Sequence, residues 1–225
     1  MNAFNLIDGI DGLASSLSML SLSLFGAYFL LAGQMPYAML AFALAGSLLA
    51  FLIFNRPPAR IFMGDSGSLL IGTVNSILVI HFIRTASSPS AVFPLGASVA
   101  LGFAILFVPL LDTLRMFSVR LIRGRSPLSP DRNHLHHLLL KRGMGHAAIT
   151  VTCVLINFLF VLAAWRFREH GSTTVMLSEV GFAFISLGIL YYFRRKPSLL
   201  KAANEDAPVD APIIDIMDDR SSKAE

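Results

Sequence analysis

Six apolar runs separated by polar stretches organise the chain: Leu13–Leu31, Pro36–Phe54, Leu69–Ile83, Ala91–Leu111, Ile149–Trp165 and Val175–Phe193. Most come close to the ~20 residues that a helix needs to cross a hydrocarbon core. Leu69–Ile83 is short and must borrow polar residues at its ends. The pattern predicts an all-α fold, a polytopic transmembrane helical bundle of about six spans over residues 1–193. The tail, 194–225, is polar and acidic apart from a small apolar island at Ile213–Met217, and is expected to be disordered. An even number of spans puts both termini on one side. The segments 1–12, 55–68, 112–148 and the tail then share one face and carry 15 Lys and Arg residues, against 3 in the short segments of the other face. By the positive-inside bias the first face is cytoplasmic, with both termini there.

Composition agrees. Mean hydropathy is +0.67, with 55% of residues apolar and only 14% charged, which excludes an ordinary soluble domain. The net charge of +4 follows from the loop bias, so it signals topology in a lipid bilayer and not nucleic-acid binding. The one cysteine, Cys153, lies inside an apolar run and has no intrachain partner for a disulfide. No basic leader precedes the first apolar run, so no signal peptide is expected.

The chemistry-bearing residues all fall at the cytoplasmic edge. Asn5, Asp8 and Asp11 recur every three residues and would share one face of a helix, with Gly9 and Gly12 clearing room beside them. Carboxylates at the edge of a span are costly unless paired or used. A second cluster runs Asn55-Arg-Pro-Pro-Ala-Arg-Ile-Phe62-Met-Gly-Asp65-Ser-Gly-Ser68. Ser66 or Ser68 can cap the helix that follows, whose start offers N–H groups and a positive dipole end to an anion. One acid beside an anion-binding helix start suggests a metal bridging protein to phosphate. Phe62 is either interfacial packing or an aromatic platform for a base.

The third cluster follows the fourth run. Asp112 reads as a solvated helix terminus, and the arginines after it as dressing against anionic lipid. Ser129-Pro130-Asp131-Arg132 is a strong helix start, with His134, His136 and His137 on the helix and Gly143 able to end it. The histidine spacing matches no standard zinc pattern, and no cysteine or neighbouring Glu completes a ligand set. Contact with a diphosphate, together with Arg132, suits these histidines better.

Three ordered motifs resemble one family: Asn2-Ala-Phe-Asn-Leu-Ile-Asp-Gly-Ile-Asp-Gly-Leu, the stretch Asn55 to Gly72, and Ser126-Pro-Leu-Ser-Pro-Asp-Arg-Asn-His-Leu-His-His. Over residues 1–193 the chain is similar to the polyprenyl-phosphate N-acetylhexosamine-1-phosphate transferases of glycosyltransferase family 4, and its histidine motif is most like the WecA/TagO branch. The resemblance implies a bacterial inner-membrane enzyme. It would transfer N-acetylhexosamine-1-phosphate, N-acetylglucosamine by the histidine motif, from a UDP-sugar to undecaprenyl phosphate. UMP would be released and synthesis of a cell-envelope glycan begun. It implies Mg²⁺ or Mn²⁺, held by Asp65 and Asn5. Asp8 would lie beside metal and substrate, Asp11 and Phe62 would hold the uracil, and Asn55, Arg132 and the His134, His136 and His137 group would line the diphosphate pocket. The catalytic group is then Asp8, Asp65 and the three histidines. A homodimer is admitted.

One departure qualifies the resemblance. Family members carry further helices before the Asn/Asp-Gly motif, with an adjacent Asp-Asp pair in a cytoplasmic loop. Here that motif opens the chain, and Asp218-Asp219 lies in the tail. The chain is therefore expected to be the C-terminal half or two-thirds of such an enzyme, with little activity alone. The alternative is a non-catalytic membrane subunit or remnant that binds nucleotide-sugar or a partner chain. A transporter would place acids deep in both halves of the spans, but the outer half has only Glu169 and Glu179.

Overall fold

The computed structural model describes residues 2–122, 124, 139–140 and 143–192. A unit over Met1–Ser186 contains everything discussed below; a second, Leu187–Glu225, contributes the last turn of the final helix. Among the described residues all regular structure is helical, and the chain is an all-α multi-pass membrane protein. The order is α1 (Asn2–Ile7), α2 (Leu13–Leu31), α3 (Met35–Asn55), α4 (Gly64–Ala86), α5 (Ser98–Ile105), α6 (Phe107–Ile122), α7 (His146–Arg166), a 3₁₀ turn (Arg168–His170) and α8 (Ser172–Tyr192). Among the described residues five helices are long and apolar enough to cross a membrane, and α5 with α6 makes a sixth if that bent pair is one span.

Helix α2 is the hub, packed against α3, α4 and α7. Its Leu22, Phe25 and Phe29 are fully buried, beside Leu78 and Phe82 of α4. Helix α3 meets it through Ala38, Ala41, Ala45 and Leu48, a stripe spaced as one helix face. The other faces of α3 expose Met39, Leu49 and Ile53, as a lipid-facing helix should. Lipid tails are as apolar as leucine, so small residues that allow close packing and interhelical hydrogen bonds must hold such helices together. One such bond runs from Ser21 Oγ to Asn75 Oδ1 at 2.6 Å, with Asn75 Nδ2 returned to the Ile71 carbonyl. Bonds of this kind contribute about 0.6 kcal/mol each on average.

The third span borrows polar residues at its start as expected: α4 begins at Gly64 and takes the Asp65–Ser68 segment into its first turn. Three other expectations change. Neither serine caps α4, for the N-cap position is Met63 with no side-chain hydrogen bond, and Ser68 Oγ instead donates to the Asp65 carbonyl. The expected fourth span, Ala91–Leu111, is not one helix. Helix begins only at Ser98, breaks at Leu106 and resumes at Phe107, the two parts meeting at 83°. Pro109 has no N–H to give to the Ile105 carbonyl. Asn157 of α7 fills the gap: its Nδ2 donates to the Ile105 and Ala104 carbonyls at 3.0 and 3.4 Å, and its Oδ1 accepts from Val108 N at 2.9 Å. Irregular backbone survives at membrane depth when protein groups satisfy it in this way. Asp112 is no solvated terminus either. It is buried within α6, with Oδ1 3.3 Å from Arg115 Nη2.

Substituting Asn157→Leu keeps the bulk and removes all three bonds. At about 0.5–1.5 kcal/mol each, the loss should destabilise the protein by about 1.5–4.5 kcal/mol, read as a lower thermal midpoint in detergent. An unchanged midpoint would mean that the break is held by other groups.

Candidate active site

The polar clusters converge at one end of the bundle. The start of α2, the end of α3 and the start of α4 lie together there by topology, and the start of α7 joins them. Asn5, Asp8 and Asp11 do not form the single helical stripe that their spacing suggested. Helix α1 ends at Ile7, and residues 8–12 turn. Gly12 closes the turn at φ +76°, a left-handed conformation that a residue with a Cβ adopts only under strain.

The turn separates the acids while keeping both Asp8 and Asp11 on one cavity. That cavity has a volume of ≈ 270 Å³, with the 8–11 turn on one side and Asn55 and Phe62–Asp65 on the other. Asn5, on α1, is tied to the Asp65 side of it. Its Nδ2 donates to Asp65 Oδ1 at 2.9 Å and Ser68 Oγ at 3.0 Å. Among the described residues its amide oxygen accepts no hydrogen bond, so it remains free for a cation or a donor. Gly64, at φ +65°, turns the chain into α4 so that Asp65 sits in the helix's first turn. With no side chain capping that turn, its N–H groups and dipole end face the same end of the bundle. Phe62 stands beside Asp65 with 78% of its surface exposed, a large aromatic face left uncovered.

Asn55 lines the cavity, but its amide is committed. Oδ1 accepts from Gly12 N at 3.0 Å and Ser15 Oγ at 3.1 Å, and Nδ2 donates to the Ile61 carbonyl at 2.9 Å. One buried side chain therefore ties the 8–12 turn, α2 and the loop before α4 to the end of α3. Asp11 is committed on one oxygen only: Oδ2 lies 3.3 Å from Ala59 N and 3.2 Å from His146 Nδ1. His146, Thr150, Ser15 and Ser68 all belong to this neighbourhood, yet nothing in the sequence pattern singled out the first three. Their signal was modest: a histidine just after Gly143-Met-Gly145, at the start of a span. Arg132, His134, His136 and His137 lie outside the described residues.

The electrostatics follow from crowding. The Asp8 carboxyl is pushed up to about 6, first by burial and then by the neighbouring Asp65 carboxylate. Two acids in one small cavity, with Asp11 as a third, repel an anionic ligand unless a cation enters first. The donors that face the cavity are oxygens, the set that suits a hard divalent ion. Among the described residues no cluster of three or more His, Cys, Asp or Glu side chains is positioned to hold a metal.

The fold and site together define a class: a polytopic membrane protein whose acidic, oxygen-lined cavity sits at one membrane face beside an open helix start. Residues 1–83 match the profile of Glycosyl transferase family 4, and the chain belongs to that family. Its curated relatives include the "Probable undecaprenyl-phosphate N-acetylglucosaminyl 1-phosphate transferase" of Bacillus subtilis (strain 168), 37% identical over 179 residues, which cover 79% of this chain and 47% of the relative. A "Decaprenyl-phosphate N-acetylglucosaminephosphotransferase" of Mycolicibacterium smegmatis is 35% identical, covering 88% of this chain and 52% of the relative. The "Undecaprenyl-phosphate alpha-N-acetylglucosaminyl 1-phosphate transferase" of Escherichia coli (strain K12) is 34% identical, covering 73% and 45%. The chain thus spans about half the length of the curated relatives that it matches.

Without added metal, Asp8 should titrate near pH 6 as a carboxyl band in difference infrared spectra, absent in Asp8→Asn. Asp65→Asn should move the band to lower pH, because one of the two causes of the shift is gone. Ionising Asp8 works against the fold. Its contribution to stability is complete below the unfolded value of 3.8 and is lost as pH rises through about 6.

Proposed function

We propose that this chain carries the catalytic face of an enzyme that transfers N-acetylhexosamine-1-phosphate, N-acetylglucosamine-1-phosphate by the relatives' names, from a UDP-sugar to undecaprenyl phosphate. The product would initiate a cell-envelope glycan. The observation that carries the reading is the cavity shared by Asp8, Asp11, Phe62 and Asp65, with Asn5 hydrogen-bonded to Asp65. The charge bias, 15 against 3, supports a cytoplasmic site, with both termini cytoplasmic in a bacterial inner membrane.

Asp65 and Asn5 would hold a Mg²⁺ or Mn²⁺ ion. Such an ion, when bound, neutralises diphosphate charge and polarises the phosphoryl group. The N–H groups of the first turn of α4 would receive phosphate oxygens. Phe62 would stack on the uracil, and the free Oδ1 of Asp11 would accept from its imide N–H. An oxygen of the lipid phosphate attacks the β-phosphorus of the UDP-sugar, the bond to the bridging oxygen breaks, and UMP leaves with that oxygen. Asp8, ionising near pH 6, would accept the proton carried by the lipid phosphate. Asn55 would hold the loop and turn in register, while Arg132 and the three histidines would complete the diphosphate side.

The test is UMP release from UDP-N-acetylglucosamine by the full native protein in lipid nanodiscs with undecaprenyl phosphate. Chelation should abolish turnover and added Mg²⁺ restore it. Asp65→Ala should lower kcat by about 10³-fold, since it removes a group aimed at the reacting phosphates. UDP binding without UMP release would favour the non-catalytic alternative. Phe62→Ala should raise KM for the UDP-sugar by about 3–10-fold while Phe62→Trp does not, the range expected for one aromatic stacking contact.

A further inference from the structure

The acids of the site are held in different ways. Asp65 is fixed by Asn5 from α1, a neighbour within the cavity motifs themselves. Asp11 is fixed from outside them, by α7. His146 and Thr150 lie four residues apart on the first turns of α7 and therefore share a face. His146 Nδ1 sits 3.2 Å from Asp11 Oδ2, and Thr150 Oγ1 donates to the Asp11 backbone carbonyl at 3.3 Å. The contact is an ion-pair distance between a ring nitrogen and a carboxylate oxygen. Ala59 N provides a third restraint, on the same carboxylate oxygen. With Oδ2 doubly engaged, the carboxylate cannot rotate freely. Its Oδ1, which takes no hydrogen bond among the described residues, is left as the oxygen that faces ligand.

We propose that His146, supported by Thr150, is a positioning residue for nucleotide recognition: it aims Asp11 Oδ1 at the imide N–H of the uracil and so sets affinity for the nucleoside half of the donor. This rests on the proposed transferase reading of the cavity. It adds a residue from a helix beyond the three polar motifs, and it makes a specific demand. Because His146 touches Asp11 and not Asp65, its loss should weaken recognition of the base and leave recognition of the diphosphate alone.

The experiment uses the full native protein in lipid nanodiscs, with radiolabelled UDP and magnesium pyrophosphate as probes. His146→Ala should weaken UDP binding by about 3–10-fold, the scale of one ordinary hydrogen bond. KM for the UDP-sugar should rise in parallel, with kcat, pyrophosphate inhibition and KM for the lipid phosphate nearly unchanged. His146→Asn, whose amide nitrogen falls about where Nδ1 lies, should recover most of the affinity. The side chain is 40% exposed, so neither variant removes core packing. UDP affinity unchanged in His146→Ala would overturn the proposal. So would an equal loss for UDP and pyrophosphate that Asn fails to rescue, because that pattern belongs to general damage at the base of α7. A wild-type protein that binds no UDP would overturn the transferase reading as well; a wild type that binds UDP beside an unaffected His146→Ala would overturn this proposal alone.

Discussion

The amide of Asn55 is the constraint on which the site depends. A side-chain amide buried without partners costs about 1–3 kcal/mol, so this one is stable only with the 8–12 turn and the 56–63 loop both in place. The dependence is mutual. Gly12 N, Ser15 Oγ and the Ile61 carbonyl would each lose a partner if Asn55 moved. Two loops of different origin are thereby held in register to within a hydrogen bond, and the carboxylates they carry meet across one cavity. A side chain that has no free polar atom of its own can govern the distance between Asp8 and Asp65.

The second organising fact is that the site is acidic although the face is basic. Asp8, Asp11 and Asp65 share a volume small enough for burial and mutual repulsion to hold Asp8 protonated up to about pH 6. The sequence segments expected on the same face carry 15 of the 18 lysines and arginines. On the proposed reading a cation would sit at the centre with an anion beside it, and the uncapped start of α4 would add a fixed dipole at the junction. A ligand with phosphate at one end and an aromatic base at the other would then meet the uncovered Phe62 with its base.

Much of this was legible in the chain. The membrane class, the spans of α2, α3, α7 and α8, and the acids that share one end all follow from apolar run lengths and from the grouping of Asn5, Asp8, Asp11 and Asp65. What was not legible depended on partners distant in sequence. The break between α5 and α6 needs Pro109, which is visible, and Asn157, which reads only as a polar residue in a later span. The burial of Asp112 arises from packing of α6 that no local signal announces. The grouping of Asp8 with Asp11 was right in outcome and wrong in cause, since a glycine turn, not a helical face, brings them together. Asn55 was placed at the pocket, but its role as a tie appears only once Gly12 and Ile61 are seen on either side of it.

The pairing of Asn157 with the broken helix bears on how the protein is made. Released alone into lipid, α7 would carry an unsatisfied amide near its middle, and the α5–α6 bend would expose freed carbonyls; each such group is expensive in hydrocarbon. Neither piece is a finished membrane segment until the other docks. The two halves of the contact, Ile105 and Asn157, lie about fifty residues apart in the chain. The interaction that shapes the bend therefore couples the completion of α7 to that of the earlier pair.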